Sequence, residues 1–100
     1  KIGFFRNGTW YLDWNGNGGW DGCGTSFSLD VCFSGFGLAG DLPVAGDWRG
    51  DRIDKIGVYR NGSWYLDRNG NGSWDGCEVD SCVDAFGITG DLPIAGILNP

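Results

Sequence analysis

Residues 1–23 read KIGFFRNGTWYLDWNGNGGWDGC, and residues 55–77 read KIGVYRNGSWYLDRNGNGSWDGC. The stretches differ at five paired positions, 4/58, 5/59, 9/63, 14/68 and 19/73. Only Trp14 against Arg68 is a drastic exchange, and it reads as a solvent position. A second block recurs: CFSGFGLAGDLPVAG (32–46) matches CVDAFGITGDLPIAG (82–96). Between the blocks, copy one has GTSFSLDV (24–31) and copy two only EVDS (78–81). Variable length there reads as a surface loop. The chain is therefore two copies of a repeat of about 50 residues. Repeat 1 covers 1–54 and repeat 2 covers 55–100, the latter with an altered ending.

Each copy reads as short strands. Ile2-Gly3-Phe4-Phe5-Arg6 and Thr9-Trp10-Tyr11-Leu12 flank Asn7-Gly8, and Asn61-Gly62 repeats the pattern. Asn-Gly between β-rich runs predicts a hairpin with a type I′ turn, because that turn needs positive φ at both central positions. Period-2 alternation places Trp10 and Leu12 on one face and Tyr11 and Asp13 on the other. A third strand is expected at Phe36-Gly37 and a fourth at Leu42-Pro43-Val44-Ala45. No 3.6-residue apolar stripe survives the 20 glycines, so helices are not expected. The fold class is all-β: two tandem four-stranded antiparallel units the size of β-propeller blades.

The composition excludes several functions. Seven Lys+Arg against 13 Asp+Glu, a net charge of -6, argue against nucleic acid as a partner. No apolar run approaches the roughly 20 residues of a membrane-spanning helix. Absence of histidine removes Ser-His-Asp and Cys-His devices. The 15% aromatic content argues against disorder. Carboxylates such as Asp13 and Asp21 could imitate a glycosidase pair. A metal loop explains them more economically, so a non-catalytic protein is expected.

Four cysteines form two equivalent pairs, Cys23/Cys32 and Cys77/Cys82, each bracketing the variable segment. Four cysteines allow three connectivities. Bridges within each copy are preferred, since each repeat then closes its own loop. A zinc site is the rival, but it would have to join two repeats without histidine. Paired disulfides point to an oxidising, extracellular setting. With no leader sequence and Lys1 at the start, the chain reads as processed, trimmed or a fragment.

After each second strand comes an oxygen-rich loop of pattern D-x-N-x-N-G-x-x-D. In copy one the candidate ligands are Asp13, Asn15, Asn17, the carbonyl of Gly19, and Asp21. In copy two they are Asp67, Asn69, Asn71, the carbonyl of Ser73, and Asp75. A hard cation needs six or more oxygens, which makes Ca2+ the expected cofactor. Only two ligands per loop carry charge, so affinity should be weak, on the order of 10⁻⁴–10⁻³ M. A plain Asx/Gly turn without metal is the alternative. An EF-hand is excluded, because Glu78 at loop position 12 faces Gly24 in copy one. A third acidic loop, Asp47 to Lys55, carries Arg49, Arg52 and Lys55 at positions 3, 6 and 9, two of them ligand positions, and no metal is expected there.

Together these features resemble FG-GAP/VCBS repeats, the blades of integrin-α-like β-propellers. The resemblance is carried by Phe36-Gly37 and Phe86-Gly87, by residues 40–47 and 90–96, and by Ile56-Gly57-Val58-Tyr59-Arg60. It implies an extracellular role in adhesion, ligand binding or surface-layer structure, without catalysis. The family usually binds calcium before the Ile-Gly-Val-Tyr-Arg-like strand. Here that loop is the degraded one at 47–55, with cationic side chains at ligand positions, so the Asp13 and Asp67 loops stand on their own spacing.

A closed propeller takes about four to eight blades, and two leave faces and edges unsatisfied. Self-association into a filament, closure into a ring, or membership of a longer array would each complete them. Ile97-Leu98-Asn99-Pro100, which replaces the Asp47-Trp48 continuation, reads as a cap or docking segment. Asn7, Asn61 and Asn71 head glycosylation sequons, and Asn7 and Asn61 are the accessible candidates at hairpin tips. Arg49-Gly50-Asp51 spells RGD and reads as coincidence. Trp10 and Trp64 are expected in the core. Trp20 and Trp74 are expected to be exposed, and glycans are a possible partner for them.

Overall fold

The computed structural model describes residues 1–24, 29–96 and 98. The described residues hold seven strands and no helix. They are β1 (Gly3–Arg6), β2 (Thr9–Leu12), β3 (Val31–Phe33), β4 (Leu42–Gly46), β5 (Lys55–Arg60), β6 (Ser63–Leu66) and β7 (Ser81–Val83). Two antiparallel sheets result, β1-β2-β3 and β4-β5-β6-β7. The protein is thus all-β, with both disulfides, Cys23–Cys32 and Cys77–Cys82, formed within their own copies.

Both Asn-Gly turns take the expected left-handed backbone: φ is 51° at Asn7 and 86° at Gly8, and 51° at Asn61 and 88° at Gly62. Each turn sets the register of its hairpin, with Arg6 opposite Thr9 and Arg60 opposite Ser63. Cys32 and Cys82 then pair opposite Tyr11 and Tyr65, so each bridge ties the third strand to the loop after the second.

Three strand expectations need correction. The sheets have three and four strands instead of four each, because residues 91–96, where the second copy's fourth strand is expected, form no strand. The third strand is not at Phe36-Gly37 but at Val31–Phe33, with its counterpart at Ser81–Val83. Gly37 and Gly87 have φ of 103° and 121°, outside the extended range of a strand. Phe36 serves instead as a core plug. The expected fourth strand of copy one does form at Leu42–Gly46, but it pairs with β5 of the second copy. The connecting turn makes this pairing local: Asp47 accepts the backbone N–H groups of Arg49, Gly50, Asp51 and Arg52 and folds the chain back on itself. The four-stranded sheet therefore crosses the boundary between the sequence repeats.

The core lies between the sheets. Trp10 from one sheet meets Ile56 and Val58 from the other, with Phe36 between them and Phe5, Leu12, Phe33 and Tyr65 packed around. The indole N–H of Trp10 donates to the Phe36 carbonyl at 2.9 Å, which fixes the plug. Part of the variable loop (25–28) and most of the proposed C-terminal cap (97, 99 and 100) lie outside the described residues.

Candidate functional site

Each oxygen-rich loop starts where β2 or β6 ends. The Asp13 N–H donates to the Ile2 carbonyl at 2.8 Å, and the Asp67 N–H to that of Ile56 at 3.0 Å. These bonds prolong each hairpin by one pair and aim the aspartate at its own loop. From there the two copies match bond for bond. Asp13 Oδ2 accepts the Gly18 N–H at 2.9 Å, and Asp67 Oδ2 accepts that of Gly72 at 2.8 Å. Asn15 and Asn17 donate their amides to Asp21 Oδ2 at 2.9 and 2.8 Å. Asn69 and Asn71 do the same to Asp75 at 3.0 and 2.6 Å. Gly18 and Gly72, at φ of 76° and 77°, supply the left-handed residue this curl requires.

The side chains at positions 1, 3, 5 and 9 therefore gather in each loop, and in each a buried oxygen lacks a hydrogen-bond partner. Asp13 Oδ1 and Asp67 Oδ1 are buried and accept no hydrogen bond. Asp67 as a whole is only 2% exposed. A buried carboxylate oxygen without a donor costs about 1–3 kcal/mol or more, which a bound cation would offset. Burial pushes the Asp67 carboxyl above its usual range. The Gly72 N–H opposes that shift, and the neighbouring Asp80 carboxylate adds to it. The donor set of carboxylates, amide oxygens and main-chain carbonyl suits a hard cation. Binding would require Asn15, Asn17, Asn69 and Asn71 to turn their amide oxygens inward, a cost consistent with weak affinity. Among the described residues, no three His, Cys, Asp or Glu side chains form a metal-binding group by themselves. Amides and main-chain oxygens would have to supply much of the shell.

Two residues central to these loops lie in the segment read as a variable surface loop. Asp30 and Asp80 are 0% and 3% exposed. The Asp30 carboxylate accepts the N–H groups of Trp14 at 3.1 Å and Asp21 at 2.9 Å. The Asp80 carboxylate accepts those of Arg68 at 3.1 Å and Asp75 at 2.8 Å. Each thus clamps its loop at positions 2 and 9. The signal was present as Asp-x-Cys in both copies (30–32 and 80–82), once alignment is anchored on the second cysteine.

The remaining candidates are dispersed. Asn7 and Asn61 sit exposed at hairpin tips, with Asn61 Oδ1 accepting the Thr89 hydroxyl at 3.2 Å. Trp20 and Trp74 are both exposed; Trp20 lies edge-on to Tyr11 at 5.5 Å, and Trp74 packs against Phe36 and Tyr65. In the 47–55 turn, the Lys55 ammonium lies 2.6 Å from Asp51 and 2.8 Å from the Ile53 carbonyl. No family model, curated protein or solved structure matches this chain.

Proposed function

We propose that the protein is a non-catalytic, extracellular structural repeat module of β-propeller-blade type, stabilised by Ca2+, that self-associates into a filament or surface array. One observation carries this reading. Phe36 is 1% exposed beneath the second sheet, whereas its counterpart Phe86 is 72% exposed. Ile88, Leu92 and Ile94 around it are also exposed. An apolar patch held in a packing arrangement already used once within the chain is a surface for association. The two disulfides fit an oxidising environment. The orphan oxygens of Asp13 and Asp67 support the calcium part of the reading.

Electron microscopy of the purified chain with calcium and with chelator tests it. Filaments or sheets that lose order in EDTA are expected. Single particles under both conditions would refute it.

A second reading, a ring-forming lectin, is favoured by the aromatic face on the first sheet. Phe4 stacks on Tyr11 at 4.7 Å beside the exposed Trp20. Glycan binding lost on Trp20→Ala would support it.

A further inference from the structure

We infer that residues 91–96 of one copy are donated as a strand to the free edge of β1 in a second copy, continuing between molecules the pairing that β4 makes with β5 inside one. This names the partner in the self-association reading above and rests on it. The chain carries its own template. In the four-stranded sheet, Leu42 pairs with Tyr59, Pro43 with Val58, Val44 with Gly57, Ala45 with Ile56 and Gly46 with Lys55. The repeat correspondence carries this register to Leu92–Phe5, Pro93–Phe4, Ile94–Gly3, Ala95–Ile2 and Gly96–Lys1 between copies.

Among the described residues, neither half of that contact is already paired in a sheet. Among them β1 is an edge strand, paired with β2 alone, and Ile2 and Phe4 are exposed. Val44 is 7% exposed in its ladder, whereas its counterpart Ile94 belongs to no strand and is 72% exposed. An unpaired edge beside an unpaired apolar strand sequence of the same molecule is a template for addition.

The side chains around the contact are already set. Arg60 holds Asp41 through two charge-assisted bonds, Nε to Oδ1 at 2.6 Å and Nη2 to Oδ2 at 2.7 Å. The counterparts are Arg6 and Asp91. The Asp41 carboxylate is oriented by the Leu38 N–H at 2.7 Å, and the Asp91 carboxylate by the Ile88 N–H at 2.9 Å. Arg6 rests over Phe4 and Tyr11, as Arg60 does over Tyr65. Phe36 is fixed by Trp10 Nε1 and lies edge-on to Trp74 at 5.6 Å. Phe86 is fixed likewise by Trp64 Nε1 at 2.9 Å, with its ring outward. Its socket in the next copy is the Phe4, Tyr11 and Trp20 face. The Trp74 N–H bond to the Gly35 carbonyl, 2.9 Å, predicts an intermolecular bond from Trp20 to Ala85. Donor and acceptor are different surfaces, so the contact is heterologous and propagates head to tail.

Sedimentation of the full chain in calcium across a wide concentration range tests the inference. Wild type is expected to assemble, and Ile94→Arg to sediment as single 10.8 kDa chains. Because Ile94→Arg keeps an intact β1 edge, a small fraction of it should shorten wild-type assemblies. Arg6→Asp and Asp91→Arg should each fail to assemble alone, and their equimolar mixture should assemble, since each donor then meets an acceptor of opposite charge. Assemblies that neither Ile94→Arg nor the charge variants disturb would overturn strand donation while leaving self-association standing. Wild type that stays a single chain at every concentration would overturn both.

Discussion

The Lys55 ammonium lies 2.6 Å from Asp51 Oδ1 and 3.9 Å from Asp47 Oδ1, inside the turn that folds β4 back on β5. A side-chain cation thus draws together in this turn the carboxylates that a bound ion would gather in an acidic loop. Four N–H groups of the turn converge on Asp47, and the Ile53 N–H donates to Asp51 at 3.1 Å.

This turn should make the fold acid-sensitive. Hydrogen bonds, that from the Arg52 N–H foremost, hold the Asp47 carboxyl below its usual range, and the Lys55 ammonium does the same for Asp51. Each carboxyl holds its proton less tightly folded than unfolded, so the unfolded chain binds more protons between the two values. The stabilisation is complete above the unfolded carboxylate value, about 3.9. It is lost as pH falls from there through the folded values. Thermal melts at stepped pH should show this loss, and Asp51→Asn should flatten it.

Calcium should raise the melting temperature through the Asp13 and Asp67 loops. At about 10 mM free Ca2+ and a Kd of about 10⁻⁴–10⁻³ M, linkage gives about 1.4–2.7 kcal/mol per site. Asp67→Asn should remove one site's share. In chelator the same variant should be at least as stable as wild type, because it no longer buries a charged, undonated oxygen. Scanning calorimetry with and without calcium reads both effects. A variant with undiminished calcium stabilisation would sink the assignment of Asp67.

Asp80→Ala should destabilise the second loop by about 2–4 kcal/mol, since two N–H groups lose a charged acceptor. Asp30→Ala should do the same in the first loop. Urea unfolding measures the loss, and weaker calcium binding should accompany it, because the clamp spans loop positions 2 and 9.

Replacing Cys77 and Cys82 together by serine should cost about 2 kcal/mol, and replacing Cys23 and Cys32 slightly more. The order follows loop length, with sequence separations of 5 and 9. Comparing denaturant midpoints of the two double variants checks it.

Adding a Cβ at Gly72 should be far more damaging than at Gly18. Both have left-handed φ, but a Cβ on Gly72 would collide with the Phe33 ring, while one on Gly18 meets nothing within 4 Å. Melting of Gly72→Ala against Gly18→Ala separates backbone strain, common to both, from the collision. Equal losses would show that the second loop is not seated against the first sheet.

Much of the local structure was legible because its causes are local. Asn-Gly supplies positive φ and thereby a hairpin. The cysteines flanking a variable segment mark a closed loop, and the D-x-N-x-N-G spacing brings the side chains at positions 1, 3, 5 and 9 together within nine residues. Asp30 and Asp80 escaped notice because their importance comes from burial against a loop that precedes them in the chain. The third strands escaped notice because a three-residue run beside a cysteine carries no periodicity, whereas Phe36 looked strand-like by composition alone.

The amino-acid sequence by itself determined the repeat and, within each copy, the hairpin and the oxygen-rich loop, set by residues within a few positions of one another; the cysteine pairing it favoured is the one the structure shows. Only the tertiary structure decided that β4 belongs to the following repeat's sheet. It alone shows that one phenylalanine of an equivalent pair is sealed in the core while the other faces solvent. The reason is that burial and sheet membership depend on which neighbour covers a surface. Near-identical stretches of sequence meet different neighbours at the two ends of this chain.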